Sequence, residues 1–242
     1  LKSKLRLKIL MKLSSSTNGG ISMKDLVLLY MIISPSEEKK YVKVLNKYKV
    51  HFKTVMHGTG TASSSILEYF GLDEIDKTII ISVVPKIMSK HILMDMHNKD
   101  IIYEPGKGIA FTVPLSSSTK YMLDMYNDFS LEDIKMKEAN KHLIVTISNE
   151  GYAESIMSAA KKAGATGGTT INGRGLETEK VIKILGISIE PEKDIVLILA
   201  SDDKKNDIMN EIVDKCGLKT RGAGICFSLP VDHVVGLSEE IE

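Results

Sequence analysis

Four short stretches carry residues whose type and spacing suit anion binding. Residues 57–60 read His57, Gly58, Thr59, Gly60, and residues 105–108 read Pro105, Gly106, Lys107, Gly108. Later come Asn172, Gly173, Arg174, Gly175 and then Arg221, Gly222, Ala223, Gly224. Glycines one residue apart let the backbone take a positive φ or approach a ligand closely. Their N–H groups can form a nest for an anion, with Lys107, Arg174 or Arg221 beside it to neutralise charge. Strand-edge turns also need glycine for steric reasons alone, so a single pair is weak and a repeated pair is stronger.

Other chemistry has less behind it. His51, His57, His91, His97, His142 and His233 are scattered, and none stands in an i, i+4 zinc arrangement with a glutamate between. Ser63, Ser64 and Ser65 precede an amphipathic turn rather than forming a strand-to-helix elbow. Asp202, Asp203, Glu239 and Glu240 fall at a helix start or in the tail, where the helix dipole or solvation accounts for them. The sequence therefore assigns no catalytic residue and no metal ligand. Cys216 and Cys226 lack metal-site spacing and a disulfide framework, which points to core residues in a reducing, cytoplasmic setting.

The elements that must position the glycines form a repeat. Gly106, Gly108, Ile109, Phe111 and Pro114 recur 116 residues later as Gly222, Gly224, Ile225, Phe227 and Pro230. Gly58, Gly60 and Gly71 recur 115 residues later as Gly173, Gly175 and Gly186. Each copy reads strand, helix, strand, short insertion, strand, helix, strand. In the first, Leu28, Tyr30 and Ile32 alternate, Ser34 to Glu37 read as a capping box, and Tyr41, Leu45 and Tyr48 share a helical face. Met88 and Ile92 set the period of a second helix over residues 86–97. In the second copy, Ile156, Ala160 and Ala163, then Ile208, Ile212 and Cys216, line the corresponding helices. The insertions at 61–71 and 176–186 read as short helices, and residues 130–140 as a capped helix.

This order predicts an α+β protein of two tandem ferredoxin-like modules, β-α-β-β-α-β, each with an antiparallel sheet. The boundaries read as a basic arm or linker over 1–23, a first module over 24–118, a connector over 119–139 and a second module over 140–242. Two helices cover one face of each sheet and leave the other apolar face open, which implies association. The net charge of +1, the 5% aromatic content and the absence of Trp argue against a nucleic-acid binder. No run of apolar residues is long enough for a transmembrane helix.

Residues 141–237 resemble the P-II family of nitrogen regulatory proteins. The resemblance is carried by K-K-A-G-A-T-G-G-T-T, then N-G-R-G, and finally G-A-G-I-C-F-S-L-P-V-D-H-V-V-G-L. The first module is a weaker copy of that pattern. The resemblance implies a non-enzymatic, trimeric regulator that binds ATP, ADP or another small anion between modules and acts on a regulatory protein partner. It implies contacts at Gly173, Gly175, Gly222 and Gly224, with Gly58, Gly60, Gly106 and Gly108 as counterparts. Ala223 and Ile225 stand where the family has an acidic and a basic residue, leaving Arg174, Arg221 and Lys107 as the nearby cations. The alternative is a metal-handling protein or an enzyme on the same fold.

Overall fold

The structure is a computed structural model. It describes residues 25–61, 75–98, 108–127, 129–175, 182–184, 187–189 and 192–237. The basic arm, the expected helix at 61–71 from residue 62 onward, Gly106 and Lys107 lie outside them.

Strand β1 (Leu26–Ile33) alternates its apolar residues between two faces, as period-two patterning requires. A short 3-10 turn over Pro35–Glu37 leads into helix α1 (Glu38–Lys47). The expected capping box does not form: the Ser34 side chain makes no capping bond, and the Glu37 N–H donates to the Ser34 carbonyl at 3.0 Å. The chain continues through β2 (Lys53–Gly60), β3 (Ile75–Pro85), α2 (Lys86–Asn98) and β4 (Gly108–Pro114). A short helix α3 (Lys120–Asp124) follows. The helix expected over 130–140 is replaced by irregular chain held on α2, where Lys90 pairs with Asp133 at 2.8 Å and His91 Nε2 lies 2.8 Å from the Glu132 carbonyl.

The second unit comprises β5 (Lys141–Asn149), α4 (Ala153–Lys162), β6 (Thr169–Arg174), β7 (Ile182–Ile184), β8 (Ile187–Ile189), β9 (Glu192–Ser201), α5 (Asp202–Cys216) and β10 (Ile225–Val231). A final strand β11 is Val234–Val235. Strands β7 and β8 pair antiparallel, Ile182 opposite Ile189, so residues 182–184 are strand where a helix over 176–186 is expected, and the rest of that stretch lies outside the described residues. The reason is local. Isoleucines alternate with Lys183 and Ser188 on either side of Gly186, a period of two, and β-branched side chains favour strands.

Among the described residues, nine strands form one antiparallel sheet in the order β10-β5-β9-β6-β2-β3-β1-β4-β11. Each half has its first and third strands in the middle, the arrangement of a ferredoxin-like module. The halves join where β2 meets β6, with Thr59 opposite Thr170 and Gly60 opposite Thr169. The Thr61 N–H extends this seam to the Gly168 carbonyl at 2.9 Å.

Three cores result. Val27, Leu29, Met31 and Ile33 pack beneath Tyr41 and Leu45 of α1 and Met88, Ile92 and Met96 of α2. Ile144, Val196 and Ile198 pack beneath Ile156 and Ala160 of α4 and Ile208 and Ile212 of α5. The third core joins the two faces that carry no helices: Ile32, Ile79, Phe111 and Val113 of the first half meet Leu143, Val145, Leu197 and Val231 of the second. The rolled sheet also brings β10 beside β4. The open faces that implied association are thus covered within one chain. A strap after β10 fastens the roll, since the Asp232 N–H donates to the Thr112 carbonyl and the Thr112 N–H to the His233 carbonyl, both at 2.9 Å. No described helix is long and apolar enough to cross a membrane.

Candidate functional site

The seam between the halves opens into a cleft of about 730 Å³ on its helix-covered side. Its walls come from both copies of the repeat. β2 contributes His57, Gly58 and Thr59, and β3 contributes Asp76 opposite Thr59. β6 contributes Thr170 and Asn172, and β9 contributes Asp194 opposite Asn172. The turn into α4 supplies Glu150, Gly151, Ala153 and Glu154. His57 and Asn172 are repeat equivalents, 115 residues apart, so the cleft lies where the two copies face each other.

Asp194 is buried, with its Oδ2 accepting the N–H groups of Tyr152 and Ala153 at 2.9 Å each. A carboxylate from β9 thereby satisfies two of the donors that every helix N-terminus leaves unpaired. The anion-friendly end of α4 is filled by the protein itself. The lining is acidic: Asp76, Glu150, Glu154 and Asp194 face His57, with no Lys or Arg among the lining residues. The carboxylates of Asp76, Glu150 and Glu154 have no hydrogen-bond or ion-pair partner among the described residues. Thr170 is only 7% exposed, and its Oγ1 has no partner. Such an orphan is uncommon, because buried hydroxyls normally find one.

The glycine stretches divide. Residues 57–60 and 172–174 are not turns: they run inside β2 and β6, paired residue for residue with β3 and β9. A Cβ on Gly58 would collide with the Thr170 carbonyl oxygen across the seam and sit 3.0 Å from Ile79 Cδ1. Its glycine serves a close approach between strands. Gly108 opens β4, and Gly175 follows β6.

The stretch at 221–224 is a true turn, but the positive φ falls at Ala223 (45°) rather than at its neighbours. Its N–H groups are engaged within the protein. Gly222 donates to Thr220 Oγ1 at 3.2 Å, Ala223 to the Thr220 carbonyl at 3.2 Å and Gly224 to the Cys216 carbonyl at 2.8 Å. A Cβ at Gly224 would sit 2.5 Å from that same carbonyl oxygen.

Arg174 and Arg221 are both exposed. The structure does not bring these two stretches together. Gly222 is bonded to Asn149, Asn149 pairs with Lys193, and Lys193 pairs with Gly173. Three strand spacings, about 14 Å, therefore separate the glycines. Gly58 instead lies against Thr170 across the seam.

Asp76, Glu150, Glu154, Asp194 and Thr170 had no signal in the sequence, since they lie on four separate elements. His57 was visible only as a histidine within a glycine pair. Among the described residues, no group of three or more His, Cys, Asp or Glu is placed to hold a metal ion.

No protein-family model and no curated protein matches the chain. Several solved structures are similar at low identity. CPII, a nitrogen regulatory PII-like protein from Thiomonas intermedia K12 bound to ADP, AMP and bicarbonate, is 16% identical, with 39% of this chain and 93% of that chain covered and a TM-score of 0.32. Arabidopsis thaliana PII bound to citrate is 21% identical over 39% of this chain and 78% of that one, with a TM-score of 0.30. A microcompartments protein from Desulfitobacterium hafniense DCB is 10% identical over 86% of this chain and 95% of its own, with a TM-score of 0.26. Similarity this distant says nothing about what this chain binds.

Proposed function

We propose that this chain is a non-catalytic regulatory protein that holds a small effector in the seam cleft. The observation that carries this reading is that both copies of the repeat build the cleft, along the seam where β2 pairs with β6. A ligand there touches both halves at once, so its affinity depends on how they are set against each other, and that dependence is what a regulator needs. The described lining contains no nucleophile hydrogen-bonded to a base, which a covalent enzyme would need. The hairpin β7–β8, inserted between β6 and β9, is the element we expect to meet a protein partner.

The nucleotide-like anion implied by the resemblance has less support. The N–H groups of Gly222, Ala223 and Gly224 are already engaged, and Arg174 and Arg221 stand on separate edges of four strands. A homotrimer would have to form through surfaces other than the covered sheet faces, and Ile225 and Phe227 of β10 are among the exposed apolar residues there.

Hydrogen exchange of the full chain, with and without pooled small metabolites, tests the site. The expected result is slower exchange in both Lys53–Gly60 and Thr169–Arg174, one from each half. Protection confined to one half, or none, refutes the reading.

A further inference from the structure

We propose that residues 4–9 of this chain dock as an added strand on the outer edge of β10, covering the end of the third core that the described residues leave open. The inference is independent of the cleft and starts from an asymmetry between the two copies of the repeat.

In the first copy the outer edge of β4 is covered. Val234 and Val235 of β11 stand opposite Phe111 and Ala110, and Phe111 is fully buried. The equivalent positions of β10, 116 residues on, are Phe227 and Cys226. Among the described residues β10 pairs with β5 alone, and Phe227 is 40% and Ile225 45% exposed. By alternation these two lie on the face that Leu229 and Val231 turn to the third core. The residues 116 before Val234 and Val235 are Ser118 and Thr119, which are polar and run into α3 instead. No residue of β10 is charged. An uncharged, unpaired edge is a template for another strand, and native proteins cover it.

Pattern, charge and reach name the occupant. Residues 4–9 read Lys4, Leu5, Arg6, Leu7, Lys8, Ile9. Paired as a strand, they put three apolar side chains on one face and three cations on the other. The apolar face would continue the third core over Ile225 and Phe227. The cations would then point to the helix layer, where α5 packs on β10 and carries five acids against three lysines. An outermost strand bearing lysines is also the protected kind of edge. The join to the described chain is at the right place. β1 begins beside the end of β4, with the Leu115 N–H donating to the Leu26 carbonyl at 3.2 Å. Counting back from the bond between the Asp232 N–H and the Thr112 carbonyl, Pro230 stands level with Pro114, so residues 225–229 run past the end of β4 on that same side. Two strand spacings, about 10 Å, separate β1 from β10. Residues 10–24 include Ser14, Ser15, Ser16, Gly19 and Gly20, and a Ser/Gly-rich chain of that length typically reaches about 20 Å.

Hydrogen exchange of the full chain, with light scattering over a range of concentrations, tests this. The expected result is a monomer-independent protection of residues 5–9 together with Ile225–Val231. Leu5→Asp/Leu7→Asp/Ile9→Asp should speed exchange in β10 by about tenfold or more. Phe227→Asp, at an exposed position, should release residues 5–9 in turn, while Phe52→Asp, exposed before β2, should change neither. Fast exchange of residues 5–9 in the parent chain would overturn the proposal, as would β10 protection that survives the triple substitution. Protection that appears only as copies associate would assign the edge to a second copy and overturn it too.

Discussion

Substituting alanine for Gly58 probes the join on which everything else depends. The added Cβ would press on the Thr170 carbonyl oxygen and sit 3.0 Å from Ile79 Cδ1. A backbone oxygen within a paired strand cannot rotate away, so the two strands must part. Overpacking of this kind costs about 1–3 kcal/mol, and the backbone contact places Gly58 toward the upper end. Alanine also restricts the unfolded chain, which offsets about 0.4–1 kcal/mol. The net loss is about 2 kcal/mol, which lowers Tm by about 4–8 °C for a chain of this length. Its repeat equivalent provides the control. A Cβ on Gly173 would sit 3.2 Å from Ile195 Cδ1, the far end of a flexible side chain, with the nearest backbone atom at 3.9 Å. Gly173→Ala should therefore stay within about 0.5 kcal/mol of the parent. Calorimetric melting of both variants, with hydrogen exchange across Thr169–Arg174, would measure the difference. Equal stability of the two variants, or a larger loss for Gly173→Ala, would refute the close approach of β2 and β6.

Two further substitutions test the cleft and its surroundings. Asp194→Ala leaves the Tyr152 and Ala153 N–H groups without their acceptor, and should cost about 1–3 kcal/mol in urea unfolding. Asp194→Asn, which keeps a side-chain carbonyl, should cost less. Lys77, opposite Gly58 and half-buried, is the other test, because burial pushes its pKa below the ordinary 10.5. The charged form is thus disfavoured by folding. The penalty is full below the lowered pKa and vanishes as pH rises past the ordinary value. Lys77→Met should be slightly more stable than the parent at neutral pH, with the gap closing near pH 10.5. A gap that widens with pH would contradict this.

Much of the architecture was legible because its signals are local. Alternation of Leu28, Tyr30 and Ile32 against Leu29, Met31 and Ile33 marks a strand buried on both faces, and the structure sends those sets into different cores. Helical spacing of Met88, Ile92 and Met96, and of Ile156 and Ala160, is likewise a property of neighbouring residues. Errors arose where two local signals competed. In the insertion, β-branched alternation prevailed over a weak helical spacing. At 130–140, an apparent cap did not suffice where Lys90 and His91 hold the chain in an irregular path.

The sequence by itself determined the repeat, the order of elements and the two-faced strands, because each depends on residues a few positions apart. Tertiary structure alone decided what covers the bare sheet faces: the third core needs Phe111 and Leu197 to meet across the whole chain. It also decided what the glycines are for. Gly58 meets the Thr170 carbonyl and Gly224 the Cys216 carbonyl, contacts that depend on where the chain folds back. The acidic cleft belongs to the same class. Asp76, Glu150, Thr170 and Asp194 share no spacing along the chain, and only the pairing of β2 with β6 gathers them into one site.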